Sequence, residues 1–326
     1  MSRPRLPARA GDAWDCGFLF DSARDVRSVS CRGGIVVAGG DEMYLLRPGA
    51  EKMASRSPPL DIGPIRVVAA EPRAPWRYAV ASDELVAVFY KNKQGDQILR
   101  LRCNPPGPAA THLAWGRIGG ASTLYVRWDD GAILRVAPDM SGGEALDIPA
   151  MDAIAADQTG NLALISFEPG EARAYVTRDG EALAFRPLPD GLTVEPEQRV
   201  YLAVADAAVA FSIGDGGAFV SRGKEAPFVA SEPLAQAGPL EFEGSSSDAA
   251  LFGAANDAKG ISFLRVDPDG DALLIAELGS DDGPAPELVG LGWDASRRVL
   301  WGVSPHMGLV TCTAPSAKGS KKPLLS

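Results

Sequence analysis

The chain repeats a unit of about forty residues seven times, and each unit carries four short apolar runs. The units begin near Val26, Ile65, Thr111, Ala153, Gln198, Gly238 and Pro286. The second unit is the clearest, with runs at Ile65–Ala70, Arg77–Ala81, Leu85–Tyr90 and Gln97–Cys103. Gly, Pro, Asn and Asp fill nearly every gap, and these residues supply the backbone angles that tight turns need. The chain's 36 Gly and 26 Pro are more than average usage requires and enough to punctuate so many short strands.

One such unit cannot bury its own apolar faces, whereas stacked neighbours can. The period therefore predicts an all-β fold: a seven-bladed β-propeller of four-stranded antiparallel blades. The 326 residues then form one domain over 15–315, with an N-terminal extension at 1–14 and a basic tail at 316–326. The seventh unit offers only three runs, Leu288–Trp293, Val299–Val303 and Leu309–Thr313. Ahead of the first unit stands an orphan run, Cys16–Phe20. An open ring would leave strand edges unpaired, so the orphan is expected to close blade seven against Leu309–Thr313. That brings Cys16 beside Cys312. The four cysteines lack metal-ligand spacing, and residues 1–9 lack the apolar run of a signal peptide. Reduced thiols in a cytoplasm are expected, and strand geometry together with that compartment disfavours a Cys16–Cys312 disulfide.

Blades four and seven share a local pattern. Asp157 and Asp294 each end a strand, followed by a polar turn and an apolar strand starting five residues on, at Leu162 and Val299. This resembles the first hairpin of bacterial propeller repeats of the NHL and YVTN kind, and implies that the carboxylate accepts turn amides. Trp128-Asp129 and Trp293-Asp294 look like the dipeptide of WD-repeat propellers, without that motif's Gly-His partner.

No catalytic signature appears, and no cofactor or metal is expected. Asp267-Pro268-Asp269-Gly270-Asp271 alternates carboxylates, but its Gly falls at the wrong loop position for an EF-hand and Leu278 stands where the bidentate Glu belongs. It reads as a turn. His112 falls within an inner strand and reads as structural, while His306 lies in a loop and is the better candidate for a surface role. The net charge of −10 argues against nucleic acid as a partner, and no stretch is long and apolar enough for a membrane helix.

Blade geometry sorts the charges. Loops between second and third strands share one face, called upper here, with the blade-to-blade connections; the other hairpins share the lower face. The upper loops carry Asp41, Glu42, Asp83, Glu84, Asp129, Asp130, Glu168, Glu171, Asp215 and Asp257 against a single base, Lys259, and His306 belongs to the same face. The connections add Asp61, Asp190, Glu195, Glu197, Asp281 and Asp282. On the lower face, bases such as Arg73, Arg77, Arg117, Arg178, Arg222, Arg297 and Arg298 offset the acids. A one-signed face attracts cationic partners. The chain is thus expected to be a non-enzymatic docking subunit of a larger bacterial cytoplasmic assembly, binding one or more proteins with a basic surface. The alternative is an enzyme or small-ligand binder with its site at the axial mouth of the ring.

Overall fold

A computed structural model of the chain describes residues 14–19, 25–59, 61–74, 76–102, 109–137, 139–168, 172–195, 197–214, 216–257, 260–279 and 287–315. Phe20, Cys103, Asn104, Glu171, Asp215, Lys259, Asp281 and Asp282 lie outside the described residues, as do both terminal extensions up to 13 and from 316.

Seven four-stranded antiparallel sheets form the ring, and each of the first six follows chain order from inside to outside. Their innermost strands are Ser28–Arg32, Val67–Ala70, Ala110–Ile118, Ala153–Ala156, Val200–Ala205 and Ala237–Phe242. Blade seven runs Gly290–Asp294, Val299–Ser304, Gly308–Thr313 and then the N-terminal strand Asp15–Phe18. The closing register pairs Cys16 with Cys312 and Phe18 with Val310, and the Leu19 amide donates to Leu309 O at 3.1 Å. No helix among the described residues is long and apolar enough to cross a membrane.

The closing strand arises as expected, but its chemistry differs. Cys16 and Cys312 form a disulfide. The register explains why: the two residues are directly opposite, their Cα atoms are 4.0 Å apart, and directly paired side chains leave the same face of the sheet. Cys31 is a buried free thiol, and burial pushes its pKa up.

The core is divided among the seven blade-to-blade interfaces. Phe252 and Leu278 of blade six meet Trp293 and Leu300 of blade seven, and Trp14 is wedged among them. Its ring lies 5.8 Å from Phe252 and 6.1 Å from Trp293. Equivalent apolar layers join each later pair around the ring. Innermost strands diverge too far for backbone ladders between blades, so side chains bridge them. Ser28 and Ser30 accept the amides of Val68 and Ala70 at 3.2 and 3.0 Å, and Trp115 Nε1 donates to Ala69 O at 3.0 Å. Close backbone approach also fixes Gly40, where an added Cβ would sit 1.8 Å from Asp25 O.

The Asp turns of blades four and seven act as staples. Asp157 accepts the amides of Thr159 and Asn161 at 2.7 and 3.0 Å, and also the Asp206 amide of blade five at 2.8 Å. Asp294 accepts the Ser296 and Arg297 amides and pairs with the Arg297 guanidinium at 2.6 Å. That guanidinium reaches Gly34 O and Arg47 O of blade one. The two Trp-Asp dipeptides are not equivalent: Trp128 ends the second strand of blade three, while Trp293 is in the first strand of blade seven.

Candidate functional site

The upper face is built by loops tied to the neighbouring blade. Gly40 O of blade one accepts the Ile65 amide at 2.7 Å, and Gly131 O of blade three accepts the Met151 amide at 2.8 Å. These bonds, with the Ser82 amide on Leu85 O at 2.9 Å in blade two, set Asp41, Glu42, Asp83, Glu84, Asp129 and Asp130 on short, held turns, all exposed. Glu168 is exposed in the same loop of blade four, and His306 in that of blade seven. Asp257 ends the second strand of blade six. Glu171 and Asp215 lie outside the described residues.

The face is less one-signed than its loops suggest. Arg27 and Arg66 immediately precede the innermost strands of blades one and two. Arg27 reaches Asp41 at 3.1 Å, and Arg66 pairs with Asp83. Arg100 holds Asp61 at 2.6 Å. All these groups are largely solvated, where an ion pair contributes little stability and exchanges readily for another partner. Glu42 accepts the Ser55 hydroxyl and, together with burial, pushes the Tyr44 phenol up.

The lower-face bases are a different population. Arg77 lies over the Trp115 ring at 4.7 Å beside Glu71, Arg178 pairs with Asp206 of the next blade, and Arg222 donates to Ala249 O at 2.7 Å. With Arg297 they staple blades together. Counting charges along the sequence could not separate these structural arginines from free ones.

His112 is structural, as expected. Its Nδ1 lies 3.3 Å from Thr111 Oγ1, which accepts Arg127 at 2.6 Å. Burial and then the Arg127 charge push its pKa down to about 3. The folded protein therefore leaves His112 neutral while the unfolded chain protonates it near 6.5. Stability from this residue is complete above about pH 6.5 and falls as pH drops toward 3, by roughly 1 kcal/mol per unit. His112→Asn should flatten the fall between pH 6.5 and 4 in urea titrations; parallel curves for the two proteins would refute the assignment.

The ring axis holds a cavity of about 150 Å³, lined by the innermost strands of all seven blades. Its walls are chiefly aliphatic, and two charged side chains enter it, Arg32 and Glu241. They form a two-pronged pair at 3.0 and 3.1 Å from blade one to blade six. Arg32 also donates to Ala156 O of blade four at 3.0 Å and to Cys31 O at 2.8 Å. Burial pushes the Glu241 carboxyl up, and the guanidinium together with the Phe242 amide pulls it back. Both charges are thus spent on each other rather than presented to a ligand. Among the described residues no group of three acids, histidines or cysteines could hold a metal. At Asp267–Asp271 the chain makes a turn, with the Gly270 amide on Asp267 O at 2.9 Å and the Asp267 carboxylate on Arg265 at 2.7 Å.

Compared with known proteins, the chain matches no protein-family model and no curated protein. Its architecture is similar to a solved structure described as "Crystal structure of RRP9 WD40 repeats". That likeness has a TM-score of 0.66 at 8% identity and covers 95% of this chain and 100% of the other. The chain is therefore a WD40-like seven-bladed propeller in architecture. Such a scaffold hosts many unrelated activities.

Proposed function

We propose that the chain is a non-catalytic docking module whose upper face binds a basic surface of a partner protein. The supporting observation is the set of exposed carboxylates on held turns, of which Asp41, Asp61 and Asp83 pair with half-solvated arginines that a partner's lysines and arginines can replace. The spent charges of the axial cavity weigh against the rival enzyme or small-ligand reading, because convergent free polar groups are what such a site needs. The paired Asp turns of blades four and seven support a place among bacterial propellers of the NHL and YVTN kind. The cytoplasmic placement loses its thiol-based support, since Cys16 and Cys312 are joined.

The test is a titration against the partner recovered by affinity purification. Reversing Asp83, Glu84, Asp129 and Asp130 to Lys should weaken binding at least about tenfold, mostly through slower association at low salt. Raising salt should slow wild-type association, because exposed charges are screened beyond about 8 Å at physiological ionic strength. The control set is Arg73, Lys224 and Arg298 reversed to Glu, all exposed. Arg77 and Arg297 are unsuitable controls because they staple the fold. Loss of binding in the control set alone would move the interface to the lower face.

A further inference from the structure

We infer that the groove between blades one and two is a second docking site, and that it takes an acidic segment of a partner protein. The groove floor is buried and aromatic: Tyr78 and Phe89 stack with centroids 5.0 Å apart. One wall is Trp76. Trp14, Trp115, Trp293 and Trp301 are buried, whereas Trp76 is 40% exposed. The Arg47 guanidinium of blade one lies 5.4 Å from its ring and the Lys91 ammonium 5.6 Å. Arg56 completes the rim. Three cations thus share one groove with an exposed indole, two of them over its ring, in a chain of net charge −10.

One carboxylate lines the groove, that of Asp96. It stands 3.8 Å from Arg47 and 4.0 Å from Arg56, beyond hydrogen-bond distance from either. The two guanidiniums retain their bonding capacity for a carboxylate that can approach closer. The Tyr78 phenol faces the same charges: burial pushes its pKa up to about 12, so it stays a neutral donor at the groove floor. Charge selects an acidic occupant, and the indole selects one with an apolar side chain beside its carboxylates. A free anion would use the cations and leave Trp76 idle. An extended peptide uses both, and large aromatic and Arg side chains are the usual anchors of such contacts. Its chemistry is opposite to that expected of the upper-face partner, so the two surfaces can be occupied independently.

The experiment is selection of a random twelve-residue peptide library on the full-length protein, followed by calorimetry with the best synthetic peptide. The selected peptides should combine Asp or Glu with Phe, Leu or Met. Arg47→Glu with Lys91→Glu should weaken the peptide at least about tenfold, and Asp96→Asn should tighten it several-fold by removing the competing carboxylate. Binding should shield Trp76 from acrylamide quenching, an effect absent in Trp76→Phe. Reversal of Asp83 and Glu84 should leave the affinity unchanged. The inference is overturned by basic or unrelated selected peptides, by weaker binding in Asp96→Asn, or by binding that follows the Asp83 and Glu84 changes. It is equally overturned if millimolar inorganic phosphate displaces the peptide and by itself protects Trp76, which would make the groove a simple anion site.

Discussion

Deleting residues 1–21 should make the protein aggregate, and reduction alone should lower its melting temperature by roughly 8 °C. The deletion removes three things together. The edge of Gly308–Thr313 loses its partner strand, the interface of blades six and seven loses Trp14, and the Cys16–Cys312 bond goes. A bare edge beside a bared apolar layer is a template for pairing with another chain. The disulfide spans a sequence separation of 296, so it restricts nearly the whole unfolded chain and contributes at most about 5–6 kcal/mol on loop-entropy grounds. Cys16→Ser with Cys312→Ser separates the contributions. That variant keeps the closing strand and should not aggregate, melting where the reduced wild type does. Mass spectrometry after alkylation should leave Cys16 and Cys312 unlabelled until a reductant is added. A truncated protein that stays monomeric and melts unchanged would show that the ring closes without its N-terminus.

The ring was legible because its period leaves little freedom: forty residues with four apolar runs admit few stackings, and the missing fourth run of the last unit pointed to Cys16–Phe20. Strand ends shifted by a residue or two where turns proved tighter. Lys91 and Asn92, read as turn, extend a strand that pairs with Gly95 and Asp96 across a two-residue loop. The closure register was legible too, but the disulfide was not, because a reducing compartment and the geometry of neighbouring strands were both expected to disfavour it, whereas the two cysteines stand directly opposite and are joined. Asp41, Glu42, Asp83, Glu84, Asp129, Asp130 and Glu168 lie exposed in loops between second and third strands. Their counter-ions Arg27 and Arg66 escaped notice because they precede the innermost strands instead of sitting in the loops. Other features have no local signature. Arg32 and Glu241 are 209 residues apart, and the Trp76 groove takes Arg47 and Arg56 from one blade and Lys91 from the next.

Arg32→Met alone should destabilise the protein by about 3 kcal/mol, whereas Arg32→Met combined with Glu241→Leu should cost much less than the two single changes together. The guanidinium is the partner of both Glu241 oxygens and ties blade one to blades four and six across the axis. Removing it strands a carboxylate in an aliphatic cavity, where burial already pushes its pKa up. With that pull gone, the folded-state pKa rises still further above the unfolded one. The variant's deficit should therefore be smallest below about pH 4, where the carboxyl is neutral in both states, and should grow as pH rises through the folded value. Glu241→Gln should be tolerated no better at neutral pH, because it leaves the guanidinium charged and unpaired. Urea unfolding of the four proteins of the cycle at pH 4 and pH 7 measures the coupling. Additive costs, or a deficit independent of pH, would mean that Arg32 and Glu241 merely lie side by side. Strong coupling would show instead that the axis is held by a cross-ring tie. Such a tie leaves the outer surfaces, not the axial mouth, as the parts of this propeller free to bind.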